Sequence, residues 1–321
     1  MAEETVNKVE LSRTTKKKGP LEVVRQSYVV MKNEIKKFFS GKRMMVFSII
    51  LAAIIFVLAV APYLVGSTAK PFMFVAVASL VVLMASTLFA SISIVSEYEE
   101  RTALIVFTRP ISKASIFTGK LLACLVVTIG FTFLYYLVAI IVGLLVDQSF
   151  SPDMLVSFGL ACAYAFATTG IAMLVSSVLK KASTSTIITF VILAVIFMAL
   201  SLVLNAASVD TSWMLYDAAG SIENSSSDYR DFTNEMLDSI VSMLSDPTSF
   251  LKEDWRDILT ANGFDPDVFL YEAGLVWGLN AGTMDLGQVS EPDYLHDTLV
   301  MIVWGLVGLV AAFVMFIRRE F

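Results

Sequence analysis

The chain has 321 residues, of which 57% are hydrophobic and only 16% are charged, and its formal net charge is −6. Ordinary soluble domains are nearer a quarter charged, so the composition argues against a water-soluble protein. Cys124 and Cys162 are the only cysteines, and both lie in long apolar stretches, which excludes a disulfide framework in water-exposed parts.

The N-terminal part of the sequence is polar and lysine-rich, and the first twenty residues lack the apolar core of a removable signal peptide. Pro20–Phe39 then has the pattern of an amphipathic helix. One face carries Leu21, Val24, Tyr28, Met31, Ile35 and Phe38, while Arg25, Lys32, Lys36 and Lys37 lie elsewhere. This pattern favours a helix at the cytoplasmic membrane surface, where anionic lipid attracts basic side chains. A basic helix packed on another protein is the alternative.

Six stretches are long enough to cross a bilayer, because a spanning helix needs about 20 apolar residues. None of them contains Asp, Glu, Lys, Arg or His. We therefore predict an all-α polytopic membrane protein with six transmembrane helices. The predicted spans are Met44–Val65, Phe72–Val95, Leu121–Val146, Met154–Leu179, Ser183–Leu204 and Leu299–Ile317.

Basic residues alternate across these spans. Eleven Lys and Arg precede the first span, and further basic residues lie in the second and fourth loops and in the tail, whereas the first and third loops hold Lys70 alone. Because such residues are retained in the cytoplasm, both termini are predicted to be cytoplasmic, in the cell membrane. The predicted divisions are 1–43 (N-terminal segment with the interfacial helix), 44–206 (spans 1–5, with a coupling loop at 96–120), 207–297 (extracytoplasmic) and 298–321 (span 6 and tail).

The extracytoplasmic segment, residues 207–297, holds 18 acidic and three basic residues. Helical spacing of apolar residues appears in Asp231–Leu244 and Leu251–Leu259, and a further helix is predicted at Asp267–Leu279. The last one is apolar but too short to span, so it packs on the segment or dips into the membrane. We expect a small helical cap that could meet an extracytoplasmic partner.

Several function classes are disfavoured. No ionisable residue lies at mid-membrane, which argues against a proton-driven carrier. The nearest match to a P-loop, Ala114–Leu121, lacks its leading Gly and its Mg²⁺-binding hydroxyl. The single histidine, His296, makes neither a triad nor a zinc site. We therefore predict no catalytic residue, no metal site, no cofactor bound by this chain and no nucleic-acid partner.

The loop between spans two and three carries the strongest signal. Ser96–Ala123 (SEYEERTALIVFTRPISKASIFTGKLLA) has an acidic cluster, a short apolar segment, an Arg-Pro turn and a Gly-Lys pair entering span three. It resembles the signature of ABC type-2 permeases, the membrane subunits of exporter-like ATP-binding-cassette transporters. Lys32–Arg43 and Phe316–Phe321 resemble that family's segments before span one and at the C-terminus. One departure is that Thr102 follows Arg101 where the family often has Gly.

The resemblance implies that two six-span subunits, identical or different, pair above two separate ATPase subunits, which bind ATP and Mg²⁺. It also implies export. The residues expected to form the coupling helix on the ATPase and its exit turn are Glu97, Tyr98, Glu99, Glu100, Arg101, Thr102, Leu104, Phe107, Arg109 and Pro110. Candidate linings of the pathway are the hydroxyl and amide side chains of spans two and five, notably Ser86, Thr87, Thr189 and Asn205, although such residues commonly join membrane helices to one another.

Other functions stay open at this point. A permease-like subunit could transmit force to an outside partner, and a membrane sensor or anchor could act through the acidic segment 207–297. The uncharged spans favour a hydrophobic or amphiphilic cargo, because a charged cargo needs polar contacts inside the bilayer.

Overall fold

A computed structural model describes residues 20–64, 68–99, 112–146, 151–207, 209–245, 260 and 289–318, and the regular structure of this part is entirely helical. In chain order the helices are α1 (Pro20–Ser40), α2 (Lys42–Leu64), α3 (Pro71–Phe89), α4 (Val95–Glu99), α5 (Lys113–Val146), α6 (Asp153–Val178), α7 (Ala182–Ala206), α8 (Leu215–Asn224), α9 (Ser227–Ser245) and α10 (Tyr294–Arg318).

Six of these helices, α2, α3, α5, α6, α7 and α10, are long and apolar enough to cross a membrane. The predicted fold class is therefore confirmed, and each helix covers most of a predicted span. Two boundaries differ by more than five residues. The second span ends as a helix at Phe89 rather than Val95, and α5 begins at Lys113, eight residues before the predicted start of span three.

The spanning helices differ in burial. α3 and α6 lie at the centre of the bundle, with 61% and 67% of their most apolar windows buried, whereas only 11% of α2 and 17% of α7 are buried. Lipid is as apolar as these side chains, so close packing and interhelical hydrogen bonds hold membrane helices together rather than the exclusion of water.

Aromatic rings gather around Phe89, the last residue of α3. Its ring lies 5.4 Å from that of Phe38 in α1, 5.7 Å from Phe47 in α2 and 5.8 Å from Phe131 in α5. Phe38, Phe47 and Phe89 are buried. Edge-to-face pairs add to the energy of area burial, so this cluster fixes the point at which the chain leaves α3.

A close contact between glycines joins α6 to α10. A Cβ on Gly170 would lie 2.6 Å from the carbonyl oxygen of Gly305, and one on Gly308 would lie 2.8 Å from the carbonyl carbon of Gly170. Any side chain there would force the two backbones apart. Small residues let membrane helices approach in this way.

The chain divides into two compact units, one formed by Met1–Glu223 and Asp293–Phe321 and the other by Asn224–Pro292. The predicted division at residue 207 stays a prediction, and the second unit is described by itself. Within it, α9 covers the helix predicted at Asp231–Leu244. The side-chain amide of Asn234 accepts from the Val289 N–H at 2.7 Å and donates to the Val289 carbonyl at 3.2 Å. The helices predicted at Leu251–Leu259 and Asp267–Leu279 lie outside the described residues.

Replacing Gly170 with valine tests the α6–α10 contact. We expect Gly170→Val to lower the free energy of unfolding by about 1–3 kcal/mol or more, as overpacking of a tight interface does. Thermal unfolding in mild detergent would measure the loss. The matched control is Gly130→Val in α5, where a Cβ meets nothing within 4 Å. Equal stability of the two variants would contradict the close contact.

Candidate functional site

Residues 90–99, which we call the junction segment, leave the end of α3 and fold back into the bundle. A turn at residues 90–94 leads into the short helix α4, and residues 90–97 are all buried. The hydroxyl of Ser176 in α6 accepts from the N–H groups of Ile94 and Val95, both at 3.1 Å. The junction segment is thereby attached to the central helix α6.

A buried lysine organises the junction. Lys120 in α5 is 1% exposed, and its ammonium lies 2.5 Å from a carboxylate oxygen of Glu34 in α1 and 2.8 Å from one of Glu97 in α4. The ammonium also donates to the carbonyl of Ser93 at 2.7 Å. All three donor positions of the ammonium are thus used. We call Lys120, Glu34, Glu97 and the Ser93 carbonyl the Lys120 cluster.

The residues before Lys120 explain how α1 reaches the cluster. A Cβ on Gly119 would lie 2.6 Å from Cβ of Val30 and 2.7 Å from the carbonyl oxygen of Ser27, so only glycine lets α1 approach α5 this closely. The hydroxyls of Ser27 and Thr118 lie 2.7 Å apart. The Gly-Lys pair therefore has a physical role: glycine admits α1, and lysine neutralises the carboxylate that α1 brings.

The junction segment also holds the start of the fifth span. A carboxylate oxygen of Glu99 accepts from the N–H of Ala182, the first residue of α7, at 2.7 Å. The first N–H groups of a helix have no partner within the helix, and a carboxylate there is favoured by the helix dipole. One turn on, the hydroxyl of Ser185 donates to the Ser91 carbonyl at 2.5 Å, and those of Ser91 and Thr186 lie 3.1 Å apart.

The two described acidic residues of the motif thus have separate partners. Glu97 is buried in the Lys120 cluster, while Glu99 is exposed apart from its contact with α7. Tyr98 is half-buried against the core. The junction segment therefore contacts α1, α5, α6 and α7 within ten residues.

The rest of the predicted coupling helix lies outside the described residues. This applies to Glu100, Arg101, Thr102, Leu104, Phe107, Arg109 and Pro110. The ends of that loop are described. It leaves the junction segment after Glu99 and re-enters at Ser112, whose hydroxyl accepts from the Ser115 N–H at 3.0 Å, as N-cap side chains do.

The candidate lining residues occupy different environments. Ser86 and Thr87 are buried, and the Ser86 hydroxyl lies 2.7 Å from that of Thr168 in α6. Thr189 is fully buried, and its hydroxyl has no hydrogen-bond partner in the described part of the chain. Asn205 is exposed near the end of α7. Ser86 joins two helices here, and a lining role for the four residues stays a prediction.

Helix α8, which the sequence analysis missed, packs into the bundle at the opposite ends of the spans. Leu215, Ala218 and Ile222 are buried on one face. Ser157 in α6 donates to the Ile222 carbonyl at 2.7 Å, and Ser79 in α3 donates to Glu223 at 2.6 Å. Asp217 and Glu223 lower the mean hydropathy of this stretch, and only the spacing of its apolar residues could have revealed it.

Further hydrogen bonds attach α8 to α7, and the turn before α8 to α10. Ser201 in α7 donates to Asp217 at 2.7 Å, and the indole of Trp304 in α10 donates to the Trp213 carbonyl at 3.0 Å. In the same turn, the N–H and hydroxyl of Ser212 bind Asp210 and hold the pKa of that carboxyl below its usual value. Helix α8 and its leading turn thus bind α3, α6, α7 and α10.

Between its two attached ends, α7 contains a π-helical stretch at Val191–Ile196. Such stretches are rare and often lie at functional sites, because the wider turn breaks the regular hydrogen-bond ladder. In the part of the chain that the structure describes, no three His, Cys, Asp or Glu side chains come together as a metal site requires.

Taken together, these features define a multi-pass membrane protein in which one short segment, residues 90–99, ties several spanning helices together. A family model described as "ABC-2 family transporter protein" matches residues 66–321. The chain therefore belongs to the ABC-2 family of transporter proteins and is a membrane permease subunit. No curated protein matches the sequence.

Removal of the lysine charge tests the Lys120 cluster. We expect Lys120→Met to lower the free energy of unfolding by about 3–5 kcal/mol, because it leaves two buried carboxylates without their counter-ion. The triple variant Lys120→Met, Glu34→Gln, Glu97→Gln should recover most of that loss, since it removes the buried charges together.

Unfolding temperatures of the purified variants would measure both effects. Lys113→Met is the control, because Lys113 lies on the same helix but is exposed. A single Lys120→Met variant as stable as the parent, or a triple variant no better than the single one, would contradict the buried ion cluster.

Proposed function

We propose that this permease subunit couples ATP hydrolysis on a separate ATP-binding-cassette ATPase to the export of a substrate, and that the ATPase grips the residues that follow the junction segment, 100–110. The observation that carries the proposal is the attachment of the junction segment to several helices. A force on the loop reaches α5 and α1 through Glu97 and Lys120, and it reaches α7 through Glu99.

The coupling works as a shift between two arrangements of the spans. A partner can shift such an equilibrium only through its different affinity for the two states. ATP and Mg²⁺ on the ATPase supply that difference when the ATPase closes and moves the loop. Because the Lys120 cluster joins α1, α4 and α5 by short charged contacts, these three helices move as one body.

Helix α7 carries the movement to the far side of the bundle. Its first residue is held by Glu99, and Ser201 near its end is bonded to Asp217 of α8. Little of α7 is buried between these attachments, so the helix can shift without breaking a large core. The π-helical stretch provides a point at which its two halves adjust.

Two further features complete the proposal. The chain pairs with a second permease subunit, identical or different, and the pathway lies between them. The cargo is hydrophobic or amphiphilic, because the spans that would surround it carry no charge at mid-membrane.

Affinity purification tests the partner. A tagged chain isolated in mild detergent should bring with it a stoichiometric ATP-binding-cassette ATPase, identified by mass spectrometry. The double variant Leu104→Asp, Phe107→Asp should lose it, since apolar residues of a docking helix fill a groove in the partner. Val209→Asp, which changes an exposed apolar residue outside the loop, should retain it. Recovery of the chain alone, or only with extracytoplasmic proteins, would favour a sensor or anchor instead.

Glu99 offers a sharper test of coupling than Glu97, whose replacement also disrupts a buried ion pair. Glu99→Ala removes one helix cap, which costs about 1 kcal/mol, so the protein still folds. We expect the complex with the ATPase to assemble and hydrolyse ATP, but the ATP-dependent movement of α7 to be lost or strongly reduced.

Spin labels at Val203→Cys, an exposed position near the end of α7, would report that movement as a change in the distance between paired subunits. The control is Glu235→Ala, an exposed carboxylate of α9. An unchanged ATP-dependent distance shift in Glu99→Ala would contradict the route through α7.

A further inference from the structure

Helix α1 has a face that the bundle uses and a neighbouring flank that it leaves open. Ser27, Glu34 and Phe38 are buried against the bundle. Next to them lie large apolar side chains with most of their surface open, namely Val24 (67% exposed), Tyr28 (60%) and Phe39 (66%). A helix in water would not leave such a flank uncovered, whereas one at a membrane surface would place it among acyl chains.

Three basic residues run alongside this flank. Arg25, Lys32 and Lys36 are exposed, and their spacing of seven and then four residues places them in one row on the helix. None of the three makes an ion pair or a side-chain hydrogen bond within the described part of the chain. We call these residues the basic row. Beyond the basic row lie Val29, which is 51% exposed, and the polar pair Glu22 and Gln26, which are bonded to each other.

The order of these surfaces matches the layers of a membrane interface. One face of α1 is buried in the bundle. Acyl chains would cover the apolar flank, and the basic row would lie at the depth of the headgroups. Each Lys or Arg near an anionic membrane surface adds to the attraction between helix and lipid. A neutral headgroup carries no net charge for three adjacent cations to attract.

We propose that the basic row of α1 binds the phosphates of anionic lipid headgroups and gives this helix a preference for anionic over zwitterionic lipid. The surface belongs to the chain itself and does not depend on an ATPase. It does have a consequence for the junction. α1 is held to α5 by the Ser27–Thr118 contact and by the Glu34–Lys120 pair, so lipid bound to the basic row acts directly on the Lys120 cluster.

A fluorescent probe on the apolar flank tests the preference. Tyr28→Cys, in a Cys162→Ser background, is labelled with bimane, and the chain is reconstituted in vesicles of phosphatidylcholine. Brominated phosphatidylglycerol or brominated phosphatidylcholine is then added at equal mole fraction as a quencher. We expect the anionic lipid to quench with several-fold greater apparent affinity.

Two double variants are compared. The first combines Lys32→Gln with Lys36→Gln, and the second combines Lys180→Gln with Lys181→Gln. Both remove two charges from loops or helices predicted on the same side, but only the first pair belongs to the basic row. The first double variant should lose most of this several-fold preference for anionic lipid, and the second should keep it. Size-exclusion profiles that match the parent establish that each variant folds.

Three results would overturn the proposal. Equal quenching of the parent by both lipids would show no preference. An equal loss in both double variants would assign the preference to overall charge rather than to the basic row. An absence of quenching by either lipid would place the flank of α1 against protein instead of acyl chains.

Discussion

The ammonium of Lys120 sits where three parts of the chain meet, and the arrangement around it depends on that one charge. Glu34 comes from α1, Glu97 from α4 and the Ser93 carbonyl from the turn that ends the second span. Two carboxylates could not be buried at this point without a cation between them, because an unpaired buried charge is strongly destabilising. The position of α1, the fold-back of the junction segment and the start of α5 are therefore linked.

That linkage gives the acidic motif two different roles. Glu97 is turned inward and holds helices together, whereas Glu99 reaches the first N–H of α7 and is exposed on its other side. A segment that anchors to the buried central helix α6 and also bonds to α7, a little-buried span, is suited to pass movement from a loop to a helix. In the proposed mechanism, this segment passes movement from the ATPase to the permease subunit. Helix α8 holds the far end of α7 through the hydrogen bond from Ser201 to Asp217.

The number and approximate positions of the spans could be predicted from the sequence. Contacts between residues far apart in the chain could not. Six uncharged stretches are sufficient to locate six spans, since a bilayer allows few alternatives to a continuous apolar helix. The end of the second span was misplaced because Ser91 and Ser93 are uncharged, so hydropathy continues through a turn. The hydroxyls of Ser91 and Ser93 can bond to backbone groups in place of the helix hydrogen bonds, and they were the available signal that the helix ends there.

The Lys120 cluster illustrates the same limit. The sequence does not reveal the role of Lys120, because its partner Glu34 lies 86 residues earlier and no local pattern connects the two. The Gly-Lys pair did mark the position through family resemblance, but the reason for the glycine became clear only from the approach of α1. Leu104 and Phe107, which carry the docking proposal, were identified from sequence and lie outside the described residues.

Site-specific photo-crosslinking from the loop tests the central claim most directly. A benzoylphenylalanine placed at Phe107 and activated in intact cells would form a covalent bond with whatever protein contacts the loop. Our account predicts a single major adduct with an ATP-binding-cassette ATPase. The same probe at Leu295, an exposed residue at the N-terminal end of α10, should give no such adduct. Adducts from Phe107 only with lipid or with proteins that bind no ATP would contradict it.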